Sequence, residues 1–285
     1  MSEDEAENSV YEALKAGFRH IDTAEGYQNE KGTGLGIERF LKESDVKRED
    51  LFVTTKMFPG NPAWGMPEKD YEGTIAQVKL SLEKLKLDYV DLYLIHAPFA
   101  KLRVEQYKGL VEMKKQGLCK NIGVSNYNMN RFKEIEDAGL PLPDANQIEF
   151  HPLYQHKELT KFMDEKGIAK IAYSSLATLS TWRTGEGQGG EVKADTKTDA
   201  QKVQKEIADK HKVPESKVLL RWGMQKDYAV LTKSVKSERI KENIDCFGFE
   251  LDDEDMEKLD ACDKEQYLAW AQQGFDPMTV ENPLA

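Results

Sequence analysis

Cysteine is scarce in this chain of 285 residues. Cys119, Cys246 and Cys262 are the full set, odd in number, far apart and without a CxxC pair. That argues against a disulfide framework or a zinc ribbon and for a reducing compartment. Histidine is nearly as rare, at five. His151, His156 and His211 lack partners at ligand spacing, so no metal is expected. No stretch approaches the roughly 18 apolar residues of a membrane span. The acidic opening MSEDEAENS lacks the apolar core of a signal peptide. Cytoplasmic location without a membrane partner is the expectation. Positive charge is in deficit, with 40 Lys and Arg against 51 Asp and Glu, a net −11. Such a chain has no general attraction for nucleic acid or anionic lipid, so any phosphate must be held by a local basic cluster. The dinucleotide fingerprint GxGxxG is lacking too. Gly32–Thr33–Gly34–Leu35–Gly36 has the wrong spacing, no apolar strand running into it, and Lys56 where an acid should follow. It reads better as a flexible helix start. GVSNY contains no GxSxG, so a nucleophile elbow is unsupported.

What the chain does have is alternation. Short apolar, β-branched runs occur at Phe18–Asp22, Leu51–Lys56, Val90–His96, Asn121–Ser125, Asn146–Phe150, Ile168–Ser174 and Ala229–Lys233. Each is bounded by Gly, Pro or polar turns, as buried parallel strands are. Helical patterns lie between them. Thr74–Leu85 puts Ile75, Val78, Leu82 and Leu85 on one face. Val104–Gln116, Met129–Ala138, Lys157–Lys166, Asp199–His211 and Glu215–Gln225 read likewise, and Glu5–Ala16, stopped by Gly17, precedes the first strand. Alternating elements mean βα units and an α/β fold. Seven strands opening with a helix suit a (β/α)8 TIM-type barrel whose first strand is missing, and an open doubly wound sheet fits the same count. No linker divides the chain, so residues 1–285 read as one domain with a C-terminal tail over about 265–285. Thr178–Asp199 reads as a long loop between a strand and a helix. The tail aromatics Tyr267, Trp270 and Phe275 suggest a segment packed over something.

Four polar residues fall at or just past strand ends. Asp22 ends the first run, Tyr27 follows it, Lys56 ends the second and His96 the third. In a βα barrel these ends share one rim, where active sites lie. Each alone could cap a helix or pair with a neighbour, but together their chemistry is coherent. A phenol near pKa 10 is a poor acid at neutral pH, and a neighbouring ammonium lowers that value. A carboxylate keeps the ammonium charged and in place, and a neutral imidazole donates a hydrogen bond to a carbonyl. The set suits protonation of a carbonyl oxygen as hydride reaches its carbon. Farther on, Lys233, Ser234, Lys236, Arg239 and Lys241 crowd into nine residues at a strand-to-helix junction, which is an anion site in composition. A solvated charged helix has the same composition.

At this point the sequence resembles the aldo-keto reductase family. GFRHIDTAEGYQNE, LFVTTK, LDYVDLYLIHAP, IGVSNYN, NQIEFHP, AYSSL and LTKSVKSERIKEN look like its successive signatures, over roughly residues 10–270. The resemblance implies a barrel that binds a nicotinamide cofactor, and a tetrad of Asp22, Tyr27, Lys56 and His96 with Tyr27 as proton donor. It implies that Ser125, Asn126 and Gln147 hold the carboxamide, that Tyr173 stacks on the nicotinamide, and that Ser174 and Leu176 meet the pyrophosphate. Lys233, Ser234 and Arg239 would bind a 2′-phosphate, and Glu242 and Asn243 the adenine, so NADPH is favoured over NADH. Three departures stand out. No Gly-Thr first strand precedes the opening helix. Ala97 follows His96 where the family usually has Trp. Ala177 stands where Gly is common. Phe58, Trp64 and Ala97 are the expected substrate walls. The expected activity is NADPH-dependent reduction of an aldehyde, aldose or ketone by a monomer, with a weak dimer open. The competing reading is a cofactor-binding regulatory or scaffold protein with little turnover.

Overall fold

The computed structural model describes residues 1–62, 65–180, 194–270 and 275–279. Its helices are α1 (Glu3–Ala16), α2 (Glu30–Glu43), α3 (Tyr71–Leu85), α4 (Arg103–Lys115), α5 (Met129–Asp137), α6 (Lys157–Lys166), α7 (Ala194–His211), α8 (Glu215–Gln225), α9 (Ser237–Ile244) and α10 (Asp253–Asp260). The strands are β1 (His20–Asp22), β2 (Phe52–Met57), β3 (Val90–Ile95), β4 (Cys119–Ser125), β5 (Ala145–Glu149), β6 (Ala169–Tyr173) and β7 (Tyr228–Val230). They neighbour one another in chain order from β1 to β7. Among the described residues no helix is long and apolar enough to cross a membrane.

The chain divides into two compact units. The first holds Met1–Asn146 and Lys233–Lys241. Its strands pair in parallel, with Asp22 opposite Thr54, Lys56 opposite Leu94 and Ile95 opposite Val124. All of β3 is buried, as is β2 from Val53 onward, which is why both read as unbroken runs rather than alternations. α1 starts at a capping box, Ser2 Oγ accepting from Glu5 N while the Glu5 carboxylate accepts from Ser2 N. It stops at Gly17, whose φ of 111° the sequence anticipates with glycine. The second unit holds Gln147–Thr232 and Glu242–Glu281. β6 and β7 pair in parallel there, and Phe150 stacks between Trp222 and Tyr228 at ring distances of 4.7 and 3.9 Å.

The Gly32–Gly36 segment lies in the opening turns of a helix, α2, where Gly32, Gly34 and Gly36 are buried. A Cβ on Gly34 would sit 2.6 Å from the carbonyl carbon of Leu85 and 2.8 Å from its Cα, at the end of α3. Backbone atoms cannot rotate away as a side chain can, so the missing Cβ is what lets the two helices touch. Gly34→Ala therefore destabilises the fold by about 1–3 kcal/mol of overpacking strain, which outweighs alanine's better helix propensity. Urea unfolding checks this, and a variant more stable than the parent refutes it.

Candidate active site

Register alone puts four side chains on one face. Residues opposite one another in parallel strands point the same way, and so do residues two apart along a strand. Asp22 is opposite Thr54, Lys56 is two beyond Thr54, and Leu94 is opposite Lys56. His96 is two beyond Leu94, and its N–H donates to Met57 O at 3.0 Å, extending the ladder by one residue. Because Val124 is opposite Ile95, the next residue, Ser125, falls level with His96.

On that face Lys56 is fully buried, its Nζ 2.5 Å from Asp22 Oδ1 and 2.8 Å from the Thr23 carbonyl. Burial would depress the ammonium, but Asp22 beside it, with Tyr27 adding, holds it above its ordinary value. Tyr27 ends a 3-10 turn, Glu25–Tyr27, closed by Gln28 in the left-handed region at φ 54°. Lys56 Nζ lies 5.0 Å from the Tyr27 ring centre, and the His96 ring meets that ring edge-on at 5.4 Å. Although 46% of Tyr27 is open to solvent, desolvation at its phenol raises the pKa above 10.0, Lys56 pulling it down and Asp22 pushing it up. Lys56 lowers the phenol's pKa, as the sequence reading expects of a neighbouring ammonium, and desolvation outweighs that lowering. Burial, with Lys56 adding, pushes the His96 imidazole down to about 3. The ring is neutral at physiological pH, and its buried Nδ1 has no hydrogen-bond partner among the described residues.

The other expected residues divide between the units. In the first, Ser125 and Asn126 are buried. Asn126, at φ 62°, donates to the His96 carbonyl at 3.2 Å. Phe58 is half-buried and packs edge-on against Phe99, and Ala97 is only 1% exposed. Trp64 lies outside the described residues. Lys233, Lys236 and Arg239 are exposed, and among the described residues no carboxylate lies within ion-pair distance of any of them. Ser234 Oγ accepts from Lys236 N at 3.0 Å, and Ser237 Oγ donates to Glu12 on α1 at 2.9 Å. In the second unit Gln147 is buried on β5. Tyr173 ends β6, and its hydroxyl accepts from Trp270 Nε1 at 2.9 Å. Ser174 follows at φ 56°, and Leu176 lies in the turn after it. The Glu242 carboxylate accepts from Ser216 Oγ at 3.0 Å, and Asn243 is buried. Nothing in the described residues gathers three His, Cys, Asp or Glu side chains to hold a metal. Most of the expected long loop falls at 181–193, outside the described residues, and α7 begins at Ala194 rather than Asp199.

Sequence reasoning missed three contributors. The Thr23 carbonyl is a second acceptor for Lys56. Glu25 and Lys69 join the Tyr27 turn to the loop after β2. No sequence signal exists for a backbone carbonyl or for a pairing across 44 residues.

The Aldo/keto reductase family model matches residues 1–264. The chain belongs to the aldo/keto reductase family. With the family comes its fold class, the α/β TIM-type (β/α)8 barrel, of which seven strands are present among the described residues. It is an oxidoreductase family acting on carbonyl compounds. The chain is 40% identical over 263 residues to a glyoxal reductase of Bacillus subtilis (strain 168), covering 92% of this chain and 85% of that one. It is 35% identical over 269 residues to a methylglyoxal reductase of Escherichia coli (strain K12), covering 94% and 88%. A solved Bombyx mori aldo-keto reductase in complex with NADP superposes with a TM-score of 0.84 at 30% identity, covering 98% of this chain and 90% of that one.

Proposed function

We propose that the chain reduces small aldehydes, 2-oxoaldehydes first among them, with NADPH, and that Tyr27 donates the proton. One observation carries this: a buried Lys56–Asp22 pair stands beneath an accessible phenol that a neutral imidazole meets edge-on. The relatives' names supply the substrate class.

When bound, the dihydronicotinamide supplies hydride to the carbonyl carbon. The carbonyl oxygen gains a proton from the Tyr27 hydroxyl, leaving a phenolate. Lys56 holds positive charge beside that phenolate, and Asp22 keeps Lys56 charged and aimed. His96, being neutral, donates a hydrogen bond to the substrate oxygen and orients it. For the cofactor, the donor set fits. Ser125, Asn126 and Gln147 are the buried hydroxyl and amides assigned to the carboxamide, with Tyr173 as the stacking ring and Ser174 and Leu176 at the pyrophosphate. Lys233, Ser234 and Arg239 would hold the 2′-phosphate. Exposed cations suit a dianion, and each charge-assisted bond contributes roughly 1.5–3 kcal/mol. Glu242 and Asn243 are the adenine contacts in this reading.

The test is NADPH consumption with methylglyoxal and with 4-nitrobenzaldehyde. Binding without turnover would favour the scaffold reading. Arg239→Ala weakens NADPH binding about tenfold or more and leaves NADH nearly unchanged. Fluorescence titration of both cofactors decides it, and equal losses for the two would remove Arg239 from the 2′-phosphate.

A further inference from the structure

We infer that Glu25 is a positioning residue, whose carboxylate fixes where the Tyr27 hydroxyl stands by tying its turn to the loop behind Lys56. The inference rests on Tyr27 as proton donor. The Tyr27 turn is only three residues long, held within itself by Tyr27 N to Ala24 O and Gln28 N to Glu25 O, both at 3.0 Å. With 46% of the residue exposed, packing covers only part of Tyr27, and something else must fix the turn. Glu25 supplies that hold. Its Oε2 accepts from Phe58 N at 2.7 Å, and its Oε1 lies 3.1 Å from Lys69 Nζ. Lys69 Nζ also donates to Phe58 O at 2.7 Å. One ion pair thus takes up both backbone polar groups of Phe58, two residues beyond Lys56.

The far side of this clamp is itself anchored. Lys69 N donates to Pro59 O at 3.2 Å. The fully buried Gln106 of α4 donates from Nε2 to Pro59 O at 2.7 Å and to Lys69 O at 2.9 Å. A rigid helix therefore holds the loop, the loop holds Glu25, and Glu25 holds the Tyr27 turn. The Lys69 and Glu25 side chains are only 20% and 23% exposed, so the pair is partly desolvated and stronger than a surface ion pair. Glu25 is placed here to act through Tyr27. Phe58, an expected substrate wall, is pinned by the same two bonds, so the clamp sets the spacing between proton donor and pocket.

The experiment uses the full chain and five variants, Glu25→Gln, Glu25→Ala, Lys69→Met, the double variant Glu25→Gln/Lys69→Met, and Tyr27→Phe. Each is assayed for methylglyoxal kcat and KM, for NADPH affinity by fluorescence and for fold by circular dichroism. Glu25→Ala loses both bonds, and kcat per cofactor-binding site should drop about ten- to a hundredfold, the range expected for a displaced reacting group. NADPH affinity should stay at the parent's value. Glu25→Gln keeps an acceptor for Phe58 N and loses the charge that faces Lys69, so it should recover part of that loss. Lys69→Met loses the same pair and also the bond to Phe58 O, so it should fall at least as far as Glu25→Gln, and the double variant Glu25→Gln/Lys69→Met should be little worse than Lys69→Met alone. Parent-like kcat in Glu25→Ala overturns the inference. So does a loss of activity that only tracks a loss of NADPH-binding sites, for the role would then be stability alone. Should Glu25→Ala fail to fold, Glu25→Gln and Lys69→Met carry the decision, and parent-like kcat in both overturns it. Inactive Tyr27→Phe with parent-like Glu25→Ala sinks the clamp and spares the proton donor. Fully active Tyr27→Phe sinks both.

Discussion

Tyr27→Phe lowers the rate of carbonyl reduction by about 10²–10⁴-fold, the usual contribution of a positioned general acid. The substitution deletes one oxygen and keeps the ring that His96 meets edge-on, so packing at the site survives. NADPH binding should survive too, because the residues assigned to the cofactor are Ser125, Asn126, Gln147, Lys233 and Arg239. The parent's pH profile is part of the same expectation. A proton donor acts while protonated, and the phenol's pKa lies above 10.0. Reduction is therefore sustained below that value and falls as pH rises through it. His96, pushed down to about 3, adds no limb near its ordinary 6.5. Stopped-flow reduction of methylglyoxal across pH measures both features. An imidazole-like step near neutrality would place the proton elsewhere.

Lys56→Met has the second large effect, and it strikes stability as well as rate. The buried ammonium is bound to Asp22 Oδ1 and to the Thr23 carbonyl. Removing it deprives a 12%-exposed carboxylate of its ion-pair partner. Breaking a buried pair on one side costs about 3–5 kcal/mol, far more than the pair's net contribution. The reaction also loses the charge that stabilises a Tyr27 phenolate, so turnover should fall at least as far as in Tyr27→Phe. The two losses separate in the double variant Lys56→Met/Asp22→Leu, which removes the carboxylate that had faced Lys56. Thermal unfolding should then recover toward the parent while activity stays absent. A single variant with the parent's melting temperature would contradict the burial argument, and a double variant that regains turnover would contradict the catalytic one.

Much of this was legible in the sequence because strand ends are cheap to read. Asp22, Lys56 and His96 each close an apolar run, and register carries all three to one face without any long-range knowledge. The seven strands were placed to within three residues for the same reason. Of α2 only its start was legible, because Gly32, Gly34 and Gly36 look too flexible for a packed helix until α1 and α3 are seen against them. Glycine's low helix propensity is overridden there by close packing. α10 was passed over because Asp252–Asp260 is almost wholly charged, and its capping box, Asp252 with Asp255, was the only local sign of a helix. The phenol's net shift was not legible because sequence shows a neighbouring Lys but not the desolvation that outweighs it. Glu25 was overlooked because its partners, Phe58 N and Lys69, are distant in the chain and one of them is backbone.

The ladder that sets the site also decides which heritable changes such a chain can absorb. Lys56 faces Asp22 because it stands two positions beyond Thr54, and His96 joins them because it stands two positions beyond Leu94. Inserting or deleting one residue between Thr54 and Lys56 would turn the ammonium to the opposite face and bring a neighbour in its place. Length change is thus forbidden inside β1, β2 and β3, however mild the residue gained. Past Gly60 the chain leaves the ladder, and a residue gained there shifts no side chain across the sheet. A lineage built on this plan can diversify what it binds by lengthening loops, while the spacing of its reacting groups is inherited unchanged.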